Sequence, residues 1–186
     1  MNFFLHKLIN HKKYLIIIFF TFLFSGVLFG LFEYQYCSKQ VISFFKTLFF
    51  INKEQTEYSI FLIQNIIIIF LFTYLNSSYL GFIGILFLVF LKGIQISFSS
   101  IYVLSFDLTP ISVFLILLQL FFELLFLLLL FFPNITLSFQ TLIVTFFIED
   151  NFNGKSIMNY NLNSIIFVLI VFIISLLIRV NLVEII

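Results

Sequence analysis

Two oppositely charged side chains interrupt the apolar stretches of this 186-residue sequence, and they are the residues best able to do chemistry. Lys92 stands in a run from Leu80 to Ser105, and Glu123 stands in the run LLQLFFELLFLLLL over residues 117–130. A charged side chain at the centre of a bilayer costs about 2.5 to 3.5 kcal/mol on insertion scales, so it is seldom left facing lipid. Each of the two charges therefore needs a polar partner.

The spacing of the two charges predicts that they can reach each other. Lys92 precedes Ser105 by the same interval by which Glu123 follows Pro110. At 1.5 Å of rise per residue, each is about 20 Å from the turn between the two runs, so an antiparallel hairpin places them at one depth. A direct ion pair is the favoured interpretation. Alternatively, each charge binds Gln119, Gln95, backbone or water in a polar cavity, or extends toward the membrane interface.

Such a pair has two alternative roles. It can act as a clasp that fixes the register of two helices, or it can line a path for an ion or polar substrate. Because no further Asp, Glu or His stands at that depth in the sequence, a proton-coupled pump is disfavoured and the clasp is favoured. Both histidines, His6 and His11, lie near the N-terminus, and Cys37 is alone. Catalytic and metal-ligand spacings are missing, so we expect no enzyme, metal or cofactor.

Small residues at four-residue spacing predict where helices approach each other closely. The repeats are Gly26 to Gly30, Ser77 to Gly81 and Gly93 to Ser97, in a chain with only six glycines. The predicted packing positions are Gly26, Gly30, Gly81, Gly84, Gly93, Ser97 and the polar Asn65.

The composition indicates what kind of protein must position these residues. Hydrophobic residues make up 63% of the chain and charged residues 9%, which is too little charge for a water-exposed surface. The sequence therefore predicts an integral membrane protein with the lipid bilayer as its main partner. A net charge of +1 argues against nucleic acid as a partner. The absence of alanine and the single arginine are typical of an AT-rich genome.

The apolar runs predict an all-α, polytopic membrane domain of about five spans. A crossing helix needs about 20 apolar residues, and the candidate spans are residues 14–32, 60–75, 80–105, 111–132 and 162–180. The fourth is expected to end at Pro133-Asn134. Residues 135–148 are too few to cross unaided, so a buried or interfacial segment is favoured over a sixth, partial span. The outer loop 33–59 favours a short interfacial helix, with a Phe-rich mobile loop as the alternative, and residues 149–161 are expected to be a solvated loop.

Lysines near the first span indicate the orientation. Lys7, Lys12 and Lys13 precede it, which favours a cytoplasmic N-terminus in a multi-pass cell-membrane protein. Five spans would put the C-terminus outside, and a sixth crossing would return it to the cytoplasm.

The order of these features resembles the stage II sporulation protein M family of bacterial membrane proteins over roughly residues 14–132. The likeness is carried by FSGVLFG at 24–30, a mixed extracytoplasmic stretch, Asn65, Gly81 and Gly84, Lys92-Gly93 and Glu123-Leu124. This chain departs from the family at Gln119 and Leu120, where relatives often have His and Gly, and at Ser97, where a second glycine is common. Any role of that histidine is therefore not carried over.

The resemblance implies a non-enzymatic scaffold or anchor for partner proteins, of the cell-wall remodelling or sporulation type. Similar proteins accompany circular bacteriocin clusters or ABC ATPases, which implies the alternative of a permease-like or accessory subunit for export, maturation or immunity of a hydrophobic peptide. A third hypothesis, a mitochondrially encoded respiratory subunit, explains the size and AT bias but explains less well the placement of Lys92-Gly93 and Glu123.

Overall fold

The computed structural model describes residues 12–38, 55–78, 80–103, 109–147 and 166–178, and these form five α-helices with no strand among them. The helices are α1 (Lys12–Glu33), α2 (Gln55–Asn76), α3 (Gly81–Val103), α4 (Pro110–Phe147) and α5 (Ile166–Ile178). The predicted all-α fold class is confirmed. The expected interfacial helix, the solvated loop 149–161 and both ends of the last predicted span lie outside the described residues.

Three of the helices are long and apolar enough to cross a bilayer: Lys13–Glu33, Gly81–Ile101 and Pro110–Leu142. The apolar parts of the other two, Leu62–Asn76 and Ile166–Ile178, are shorter. Large apolar side chains also point outward on several helices, which suits a surface that contacts lipid. Examples are Ile17, Phe20 and Phe24 on α1, Ile66 and Phe70 on α2, and Phe114, Leu117 and Phe121 on α4. The chain is a membrane protein by these criteria.

The most extensive helix pair among the described elements joins α1 and α3, which run parallel. Gly26 lies against Phe90 and Gly93, and Gly30 one turn later lies against Ser97. A Cβ atom added to Gly26 would overlap the Phe90 carbonyl oxygen, and one added to Gly30 would lie 2.9 Å from Ser97 Cβ. The small residues thus let the two backbones approach more closely than side chains would permit.

A tight turn joins α2 to α3. Ser78 N donates to the Leu75 carbonyl oxygen at 3.1 Å, and Gly81 N donates to the Ser78 carbonyl oxygen at 2.9 Å. A Cβ on Gly81 would overlap the Leu75 carbonyl oxygen, so this glycine permits the turn itself. Gly84 leaves space for the Leu75 side chain, whose Cδ atoms would lie 2.9 Å from an added Cβ. Ser77 and Gly81 therefore lie at the turn of a helical hairpin formed by α2 and α3.

The turn predicted at Pro133-Asn134 is wrong, because α4 continues through Pro133 to Phe147. Proline lacks an N–H and cannot make the helical bond to the carbonyl four residues earlier, but membrane helices tolerate it where other groups satisfy the backbone. The carbonyl that loses its helical donor is that of Leu129. Next to it along the helix, Asn134 Nδ2 donates to the Leu130 carbonyl oxygen at 2.6 Å and Thr136 Oγ1 donates to that of Phe132 at 2.7 Å. Residues 135–147, expected as a separate segment, are the last part of α4.

Aromatic side chains fill the core between the helices. Phe19 of α1 packs against Phe131 of α4 with ring centroids 5.1 Å apart, and both are fully buried. Phe126 of α4 packs against Phe172 of α5 at 5.8 Å. These contacts hold α1 and α5 against α4, so that its polar residues lie inside the bundle.

Candidate functional site

The charged pair lies at the contact between α3 and α4. Lys92 Nζ is 3.7 Å from Glu123 Oε2, and the side chains are 6% and 5% exposed. The helices carry the two residues to one level inside the bundle, and neither charge faces the lipid side. The separation is longer than a charge-assisted hydrogen bond, so the contact is an ion pair.

Hydrogen bonds to Gln119 and Ser175 extend the charged pair to a third helix. Gln119 precedes Glu123 by one turn of α4 and is fully buried. Its Nε2 donates to Glu123 Oε1 at 3.3 Å and to Ser175 Oγ of α5 at 2.9 Å. Ser175 Oγ in turn donates to Glu123 Oε1 at 3.1 Å. We call Lys92, Gln119, Glu123 and Ser175 the polar clasp.

Three further polar residues singled out in the sequence are also buried. Gln95 lies on α3 one turn beyond Lys92 and is 8% exposed, and Asn65 on α2 is 1% exposed. Ser97 is equally buried but faces Gly30 across the α1 contact. The structure thus assigns Ser97 to helix packing, whereas Lys92, Gln119 and Glu123 come together.

The polar clasp balances its own charge. The ammonium of Lys92 faces Glu123 Oε2, while Glu123 Oε1 accepts hydrogen bonds from Gln119 and Ser175. An ion pair buried in this way costs desolvation, which its attraction and hydrogen bonds offset, and removing one partner would strand a buried charge. The arrangement is therefore able to hold α3, α4 and α5 in one register. Within the described helices, no three His, Cys, Asp or Glu side chains converge as metal ligands would.

Sequence reasoning missed Ser175. It lies in an almost uniformly apolar segment, yet it continues a buried stripe with Val168 and Val171 at spacings of three and four residues. The stripe places the serine on the inner face of α5. Little in the sequence indicates that face, because the other positions of the segment are all apolar.

A second polar group was also missed, where α4 passes the turn between α2 and α3. Asn76 Nδ2 donates to Asn134 Oδ1 at 2.6 Å, and Ser138 Oγ donates to the Ser78 carbonyl oxygen at 3.1 Å. Thr141 Oγ1 also lies 3.4 Å from the Asn76 carbonyl oxygen, to which it donates. These bonds join the far half of α4 to the hairpin. These bonds were not predicted because the fourth span was expected to end at Pro133.

Comparison with known proteins returned no match. No family model matches the chain, and no curated protein or solved structure shows significant similarity to it.

Proposed function

We propose that this chain is a non-enzymatic, multi-pass membrane protein that acts as a scaffold or anchor for partner proteins, as the resemblance to the stage II sporulation protein M family implies. In this proposal the chain crosses the membrane five times, with its N-terminus in the cytoplasm and the segment between α1 and α2 outside. Its partners are other membrane or cell-wall proteins. The polar clasp keeps the helices in one arrangement, so that the surfaces offered to partners are constant.

One observation carries this choice: the four side chains of the polar clasp pair with or hydrogen-bond to one another. Lys92 and Glu123 are both almost fully buried, and Glu123 also accepts from Gln119 and Ser175. Interhelical polar contacts of this kind stabilise membrane bundles. A permease-like role would need the same groups to turn toward a continuous polar path.

Charge reversal tests the clasp. The variants are Lys92→Glu, Glu123→Lys and the double swap, with Gln35→Glu as a control because Gln35 is exposed just after α1 and is not one of the lysines that set the orientation. Each single reversal places two like charges side by side and is expected to lower the amount of folded protein in the membrane. The double swap is expected to restore it, since opposite charges again face each other. The control is expected to remain near wild-type abundance.

Partner recovery separates scaffold from transport. Proteins crosslinked in the native membrane would be recovered with each variant and compared at equal amounts of folded chain. A scaffold predicts that the double swap recovers the same partners as the wild type. If the swap is abundant and keeps its partners but export of or immunity to a hydrophobic peptide is lost, or if an ABC ATPase is the main partner, the accessory transport role replaces the scaffold.

A further inference from the structure

The turn between α2 and α3 defines a level that α4 also reaches. At this level Asn76 Nδ2 bonds to Asn134 Oδ1 at 2.6 Å, and a Cβ on Gly81 would lie 3.0 Å from Ser138 Oγ. Positions along α2, α3 and α4 can therefore be compared by their distance from this turn.

Each of the three helices carries a polar residue eleven positions from one of its residues at this level. Asn65 precedes Asn76 on α2 by eleven residues. Lys92 follows Gly81 on α3 by the same interval, and Glu123 precedes Asn134 on α4 by the same interval. Eleven residues correspond to roughly 16 Å of helix.

The same interval also fixes the direction in which Asn65 points. Eleven residues make three helical turns and about 20° more, so residues separated by this interval share a face. Asn76 faces α4 through its bond to Asn134, and Asn65 therefore lies on the face of α2 directed at α4. Phe72, between them on that face, is fully buried. Asn65 itself is 1% exposed, as this placement requires.

We infer that Asn65 is a positioning residue that adds α2 to the polar clasp, so that Asn65, Lys92 and Glu123 form one polar layer across three helices. The depth fits: the layer is about 16 Å from the hairpin turn, which is half of a hydrocarbon core roughly 30 Å thick. With the turn at one membrane surface, the layer lies at the bilayer centre. There the carboxamide supplies a dipole beside two charges that water does not solvate. This inference rests on the proposed clasp and extends it.

A coupling experiment tests the role of Asn65. Asn65→Leu is introduced into the wild type and into a Lys92→Met/Glu123→Leu background, and the folding equilibrium is measured for each in detergent micelles. In the wild type it is expected to lower the folding equilibrium constant about three- to tenfold, the range of interhelical polar contacts in membranes. In the uncharged background the effect is expected to be under about twofold, because the charges are gone. Equal losses in both backgrounds would overturn the inference.

Thr73→Val is the matched control on α2. Thr73 Oγ1 donates to the Ile69 carbonyl oxygen of its own helix at 3.0 Å, so its replacement is expected to have the same effect in both backgrounds.

Disulfide crosslinking tests the level without altering a charge. In a Cys37→Ser chain, cysteines at Ile69 and Leu127, each four residues beyond Asn65 and Glu123, are expected to crosslink readily. Cysteines at Ile69 and Leu120, two turns out of register, are expected to crosslink at least tenfold more slowly. Faster crosslinking of the Ile69 and Leu120 pair would show that Asn65 does not lie at the level of Glu123. The charge-swap result for Lys92 and Glu123 would still stand, so the two failures are distinguishable.

Discussion

Replacement of Gly93 by alanine tests whether the close approach of α1 and α3 holds the bundle together. A Cβ at Gly93 would overlap the Leu23 carbonyl oxygen and would lie 2.9 Å from Val27 N and 3.0 Å from Gly26 Cα. All three are backbone atoms, which no rotamer change can move. Ordinary contacts of Cβ begin near 3.4 Å. The two helices must therefore separate, which loosens the rest of their interface.

The expected cost follows from two opposing effects. Overpacking a closely fitted contact costs about 1 to 3 kcal/mol, whereas alanine is favoured over glycine inside a helix by about 1 kcal/mol. The net destabilisation expected for Gly93→Ala is therefore up to about 2 kcal/mol, or roughly 30-fold in the folding equilibrium. Gly84→Ala on the same helix provides the control. The nearest atoms to its added Cβ all belong to the Leu75 side chain, whose Cδ ends can rotate away, so neutral or slightly raised stability is expected.

Unfolding of the purified protein in mixed micelles provides the assay, with helix content and a crosslink between α1 and α3 measured in parallel as denaturing detergent is added. Gly93→Ala is expected to unfold at lower detergent and to lose the crosslink, while Gly84→Ala keeps both. If Gly93→Ala is as stable as Gly84→Ala, the backbones of α1 and α3 do not meet at Gly93 and the packing described for this pair is refuted.

Two further predictions concern the polar clasp. Lys92→Met leaves Glu123 buried without its ammonium partner and is expected to destabilise the protein by about 3 to 5 kcal/mol. Lys92→Met/Glu123→Leu is expected to recover most of that loss because no charge remains. Equal stability of the two variants in denaturing-detergent titrations would argue against a buried pair. Ser175→Ala removes the donor and acceptor that link α5 to α4 and is expected to cost about 0.5 to 2 kcal/mol in the same titration. Thr21→Ala, which removes an exposed bond within α1, is the control, and a loss as large as that of Ser175→Ala would show that the link to α5 is not specific.

Depth along a helix could be predicted from the sequence, whereas rotation about its axis could not. Counting residues from the turn predicted one level for Lys92 and Glu123, because rise per residue is nearly constant. Their 3.7 Å contact also requires both side chains to turn inward. The buried stripes that set this rotation are hard to find where neighbouring positions are almost all apolar, since periodicity needs contrast between faces.

The end of α4 was mispredicted for a related reason. Pro133-Asn134 is a turn signal in most proteins, and only tertiary bonds outweigh it here. Asn76 and Ser78, distant in sequence, bond to Asn134 and Ser138 and hold the helix in place past the proline position. Local sequence carries no record of those partners. The sequence does contain one longer-range signal. Asn65 precedes Asn76 by the same interval by which Glu123 precedes Asn134, so helices that align Asn65 with Glu123 also align Asn76 with Asn134.

Residues 92 and 93 give α3 its central place in the bundle. Consecutive residues of a helix point about 100° apart, so Lys92 faces α4 while Gly93 faces α1. A change at either position moves the same short segment of backbone, and the ion pair and the close α1 contact must therefore influence each other. Shifting α3 away from α1 would alter the distance between Lys92 and Glu123 on its other side. The free-energy effects of substitutions at the two positions are consequently expected to be non-additive, unlike those of distant sites. Both the packing of α1 on α3 and the polar clasp therefore depend on this two-residue segment.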